Sequence, residues 1–204
     1  MDEYVCSTWD LPNKLYRVHY PGSRTTFTSQ HGFTASDVTK VFRSGELSDF
    51  KSALEKQFTW GCRDPLPFIS LFSDKRHAEN WGRKEPWSEH KDSEGNWALH
   101  VVNGVELRRT THIFRLSDLV KKLSLKVPES ARQHIQGAFI CLHRIPASAI
   151  VESRSPAEIE HGKYTDVDID TWDYLGDYGD NDSDREMLQE NYNTIFEKNI
   201  EDNW

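Results

Sequence analysis

Two short apolar runs constrain this chain most: PFISLF at 67–72 and AFICLHRI at 138–145. Each is rich in β-branched and aromatic residues and too short for a buried helix, so both read as buried strands. KLYRVHYPG (14–22) alternates in polarity and ends on a Pro-Gly turn, and WALHVV and THIFRL also read as strands. TASDVTKVFRSG, ELSDFKSALEKQF, SDKRHAENWG, SDLVKKLSL and PESARQHIQG read as helices. In them Ser73 and Ser117 stand as N-caps, Pro128 near a helix start, and Gly82 and Gly137 as stops. These elements follow no regular strand–helix–strand period. That order favours an α+β fold, a curved and mainly antiparallel sheet with helices packed around it.

Charge divides the chain. Residues 151–204 hold 16 Asp+Glu against 4 Lys+Arg, so the net −8 of the whole leaves the first 150 residues mildly basic. This predicts one domain with a core over 1–153 and an acidic segment over 154–204. A terminal helix from about Ser183 to Asn199 is expected to pack on the core. The charged, Trp- and Gly-punctuated stretch Arg83–Asn96 reads as a long loop. The 3 cysteines form no C-x-x-C, which argues against a disulfide framework and a zinc site. DNDSDREMLQEN lacks the glycine and final glutamate of a calcium loop, so no metal is expected. No apolar run approaches a membrane span, and MDEYVCSTWD lacks a basic n-region and apolar core. A cytoplasmic protein without membrane contact is the expectation.

Several residues stand out as candidates for chemistry. Arg17 and His19, two apart on a strand, share one face, where a guanidinium can grip a phosphate or carboxylate. Ser70 and Ser73 frame a strand-to-helix turn, whose free N–H groups attract anions. Cys141 and His143 are also two apart on a strand, though buried cysteines are commonly inert. Ser183 and Glu186 fit a capping box, yet Asp177, Asp180, Asp182 and Asp184 crowd the same approach. Carboxylates so close resist joint ionisation, and one can be held as a base. Arg108, Arg109, Lys121, Lys122, Lys126 and Arg132 make a basic stretch suited to a polynucleotide backbone.

Three pieces carry a resemblance: LYRVHYPGSRTTF, DPLPFISLFSDKRHAENWG and GAFICLHRIPASAIV. Together, over roughly Leu15 to Ser153, they resemble a fungal family catalogued as a domain of unknown function. Their pattern is also similar to the ADP-ribosyltransferase fold. Arg17 matches that fold's first-strand cation and Ser70 its later serine. Its glutamate position is filled here by Gln136, Gly137 and Ala138. A further resemblance is to fungal arginine-containing cyclodipeptide synthases, which join two aminoacyl groups from tRNA; their acidic signature is approached by DSDRE (182–186).

That resemblance implies an aminoacyl-tRNA partner, no cofactor, and site residues in named roles. Asp182 or Glu186 serves as base or arginine clamp, with Asp180 beside them. Arg17, His19 and Ser73 hold the terminal adenosine or its phosphate. Ser70 either hydrogen-bonds the ester or carries a transient acyl group, and Trp60, Trp81 and Trp97 line a side-chain pocket. Arg108, Arg109, Lys121 and Lys122 meet the tRNA. The alternatives are an NAD-dependent ADP-ribosyltransferase in which Gln136 or a remote acid replaces the glutamate, and a catalytically inactive binding module on the same fold.

Overall fold

The structure, a computed structural model, describes residues 2–43, 45–59, 62–83 and 96–165. The chain divides into two units, Met1–Glu160 and His161–Trp204; both cores and the cavity below belong to the first. The expected helix over 183–199, the acids at 177–186 and Trp60 lie outside the described residues.

Among the described residues nine strands form two antiparallel sheets. The larger runs β6 (Ile113–Arg115), β7 (Ala138–Leu142), β4 (Phe68–Phe72), β1 (Lys14–His19), β5 (Ala98–Asn103) and β9 (Ile150–Arg154) in spatial order. The smaller runs β2 (Thr26–Thr28), β3 (Gly32–Thr34) and β8 (Arg144–Ile145). The helices are α1 (Leu47–Gln57), α2 (Lys75–Arg83), α3 (Gly104–Thr110), α4 (Leu116–Leu123), α5 (Glu129–Arg132) and α6 (Pro156–Thr165). This is a mixed α+β fold with antiparallel sheets, as the interleaved patterns predict.

β4 and β7 are nearly continuous apolar runs because both of their faces are covered. Phe68 and Phe72 of β4 and Ala138 and Ile140 of β7 join a core with Phe50 and Leu54 of α1, Ala78 of α2 and Leu119 of α4. Their alternates, Ile69, Leu71, Phe139 and Cys141, join a second core with Leu15, Phe33 and Ile145, between the sheets.

One break connects the sheets. AFICLHRI leaves β7 at His143, which takes φ 61, and resumes as β8 in the smaller sheet. His143 is pinned there by three contacts. Its N–H donates to Pro67 O at 2.7 Å, its carbonyl accepts from Ala35 N at 2.7 Å, and its Nε2 meets Lys40 O at 2.8 Å. Gly32 closes the same corner at φ 79, where an added Cβ would lie 2.1 Å from Ile145 O.

Three local expectations are corrected. The stretch TASDVTKVFRSG is not a helix: Asp37 Oδ1 accepts from the backbone N–H groups of Thr39 and Lys40, a turn that competes with helix formation. The N-cap of α2 is Asp74, whose Oδ1 accepts from His77 N at 3.0 Å; Ser73 instead ties its N–H and hydroxyl to Gly137 O. Gly82 lies inside α2 rather than ending it, and the ring of Trp97 lies where its Cβ would be, at 2.5 Å.

That close approach yields a test. Alanine favours a helix over glycine by about 1 kcal/mol, but here it forces Trp97 out of place. Gly82→Ala is expected to lower stability by about 1–3 kcal/mol, read from urea midpoints, with part of the loss recovered when Trp97→Leu is added. A more stable Gly82→Ala protein contradicts the packing described.

Candidate functional site

The site lies where the larger sheet opens. β1 pairs with β5 along its whole length, and β4 pairs with β7 along its whole length. Between these two halves β1 and β4 share a single pair, Tyr16 with Phe72. Beyond that pair the strands part, and a cavity of about 750 Å³ draws side chains from both faces of the sheet.

Arg17 spans the opening. Its Nη1 donates to the backbone carbonyl of Ser70 at 3.1 Å, and its Nη2 donates to Thr25 Oγ1 at 2.9 Å and Ser23 Oγ at 3.2 Å. Its Nε is buried without a hydrogen-bond partner. None of the ion pairs among the described residues includes Arg17. Desolvation pulls its pKa down, although a guanidinium remains cationic at neutral pH. Hydrogen bonds to a charged group contribute about 1.5–3 kcal/mol each, whereas an unpaired buried ion costs several. An anion in the cavity would add a charge partner to the hydrogen bonds that hold Arg17.

The described cavity wall is basic and aromatic. Arg17, Arg24 and Arg63 line it with His134, Tyr20, Phe58, Phe72 and Trp81, and it contains no Asp or Glu. Ser23, Thr25, Ser36 and Thr59 add hydroxyls. Such a surface suits a ligand that carries both a negative charge and a flat ring.

The candidates fall into three groups. Arg17, Ser70 and Trp81 line the cavity together. Arg17 meets the main chain of Ser70, while Ser70 Oγ faces the helical layer and accepts from Gln57 Nε2 at 3.1 Å. His19, Ser73 and Trp97 do not line it. His19 shares the Arg17 face of β1, as the spacing predicts, but packs between the sheets with its ring 5.5 Å from Phe33 and 5.9 Å from Phe27. Asp180, Asp182 and Glu186 lie outside the described residues.

The basic stretch does not reach the cavity. Arg109 pairs with Glu106, Lys122 donates to Glu3 O, Lys121 is exposed, and Arg108 Nη1 is buried without a partner. Cys141 is buried with its thiol pushed up to about 12 by desolvation, and His143 is held away on Lys40 O, so they form no nucleophile pair.

Sequence reasoning missed Gln57, His77, His100 and His134. Gln57 was legible as a helix end, but its reach to Ser70 is a tertiary fact. Ala138, the first residue of β7, lines the cavity and is buried, whereas Gln136, two residues before it, is exposed. Gln136 therefore supplies no replacement for a carboxylate at this wall.

His100 sits directly across from Arg17 in the β1–β5 pairing. Its Nδ1 meets Ser153 Oγ at 2.8 Å, and its ring stands edge-on to Phe33 at 4.8 Å. Burial, with smaller contributions from His19 and Arg17, lowers its pKa from 6.5 to about 4. Between those values the unfolded chain binds more protons than the folded one. Stability therefore falls as pH drops through that window, by up to about 3 kcal/mol for this group. His100→Gln is expected to flatten the pH dependence of urea unfolding between 6.5 and 4. An unchanged slope contradicts the assignment.

The sequence has no match among curated proteins. Among solved structures, a chain titled EcPltA superposes with a TM-score of 0.47 at 14% identity, over 71% of this chain and 75% of its own. The model of a family described as a domain of unknown function (DUF7587) matches residues 10–159, and the chain belongs to that family.

Proposed function

We propose that the cavity seats the phosphate-bearing adenosine end of an aminoacyl-tRNA and that the chain is a cyclodipeptide synthase joining an arginyl to a second aminoacyl group. The observation that carries the nucleotide part is the wall of three arginines and aromatic rings around the opening between β1 and β4, with no acid among its described residues. Phosphate accepts from guanidinium N–H groups, and adenine stacks on aromatic faces. The arginyl specificity, and the role of Asp180, Asp182 and Glu186 as base or clamp, rest on the sequence resemblance.

The reaction is two acyl transfers. The amine of one aminoacyl group attacks the ester carbonyl of the other, and the second amine closes the ring. The esters are already activated, so positioning and a proton acceptor are the main demands. Cleavage of NAD needs more, because its sugar cation is stabilised by a carboxylate. The position that resemblance assigns to that glutamate falls in Gln136–Ala138, and Ala138 faces the cavity without a charge. This favours acyl transfer over ADP-ribosyl transfer. The same alanine favours one further reading, a nucleotide-binding module without catalysis.

Purified protein incubated with charged tRNA separates these readings. The expected result is an arginine-containing cyclic dipeptide by mass spectrometry, with kcat/KM lowered about 10–100-fold by Arg17→Ala, the scale of a lost charge-assisted contact. Nicotinamide release from NAD without tRNA overturns the proposal in favour of ADP-ribosyl transfer. Absence of both products leaves the binding module.

A further inference from the structure

The acyl-transfer reading leaves a proton to be placed, and no carboxylate in the described cavity wall takes it. A histidine stands there instead, in contact with a second histidine behind it. His134, in the turn between α5 and β7, lines the cavity. Its Nδ1 lies 3.2 Å from Nε2 of His77 on α2. The edge of Trp81 packs on His134 at 4.8 Å, and Phe72 packs on His77 at 4.9 Å, so the two rings are held by aromatic neighbours as well as by each other. Both imidazoles are half-buried.

We infer that His134 is the proton acceptor of the cavity and that His77 carries its proton onward. This rests on the acyl-transfer reading above. The attacking α-ammonium loses one proton to the His134 imidazole. His134 passes a proton to His77, which releases it to solvent. The free amine then adds to the ester carbonyl. The tetrahedral adduct gives its second amine proton to His134, the bond between carbonyl carbon and ribose oxygen breaks, and the departing oxygen takes that proton back. Each transfer forms one amide, frees one hydroxyl and releases one proton.

The surroundings suit this role. An imidazole titrates near neutral pH unless its environment shifts it. Two imidazoles in hydrogen-bond contact titrate as a unit, because one charge disfavours the next. On the neighbouring elements Lys75 and Arg83 pair with Glu79 on α2, and Arg132 pairs with Glu129 on α5. Arg17, Arg24 and Arg63 share the cavity wall and disfavour a resident imidazolium, which helps return the proton.

The test uses the 15N-labelled full chain, with imidazole and guanidinium NMR signals followed from pH 5 to 9 in the presence and absence of adenosine 5′-monophosphate. His77 and His134 are expected to titrate in two separated steps, and His77→Gln is expected to collapse the His134 curve to one. The nucleotide is expected to shift the signals of Arg17 and His134 together. In turnover, His134→Gln lowers kcat about 100-fold with KM within twofold, and His77→Gln moves the acid limb of the pH–rate profile. Independent titration of the two rings overturns the relay. If the nucleotide shifts Arg17 and leaves His134 unmoved, the binding reading stands and this inference falls. If it shifts neither, both fall.

Discussion

The contact from the Arg17 guanidinium to the main-chain carbonyl of Ser70 organises the molecule. β1 and β4 pair once and then separate, and a sheet that opens in its middle leaves polar backbone facing the gap. Arg17 satisfies one of those groups from across the opening. Its side chain thus replaces a rung of the ladder and places a cation in the cavity at the same time. With Ser23 and Thr25 as its other partners, the charge is hydrogen-bonded, and no described carboxylate pairs with it.

The two cores make that opening tolerable. β1 with β5, and β4 with β7, are each anchored on both faces by large apolar side chains, so the halves need few bonds between them. Their burial lets the fold hold a guanidinium that no described carboxylate compensates. The histidines mark two different environments around it. His100 lies between the sheets and is held neutral by burial, while His134 stands at the cavity wall and meets a second imidazole.

Much of the fold was legible where burial dictates composition. PFISLF forms the interior strand its composition predicts, AFICL does the same while the full run AFICLHRI breaks at His143, and Leu47–Gln57 forms the helix that its spacing predicts. Legibility failed where a side chain overrides a pattern. Asp37 turns the backbone where Val38, Val41 and Phe42 imply a helix, and Trp97 lies on Gly82 where the glycine implies a stop. The Ser155–Glu158 capping box that opens α6 was readable from its spacing but was overshadowed by the similar motif at 183–186. Of the site, Arg17 and Ser70 stood out by resemblance, but spacing could not tell that Arg17 reaches the serine's carbonyl rather than its hydroxyl. The His77–His134 pair joins residues 57 apart in sequence and leaves no local trace.

The central claim is that the guanidinium in the open sheet awaits a phosphate. Titration calorimetry of the full chain with adenosine 5′-diphosphate and with adenosine, for the wild type and Arg17→Gln, tests it directly. The account predicts that the diphosphate binds at least about tenfold more tightly than the nucleoside, the scale of one charge-assisted contact, and that Arg17→Gln removes the difference. Equal affinity for the two, or a preference that survives the substitution, contradicts it.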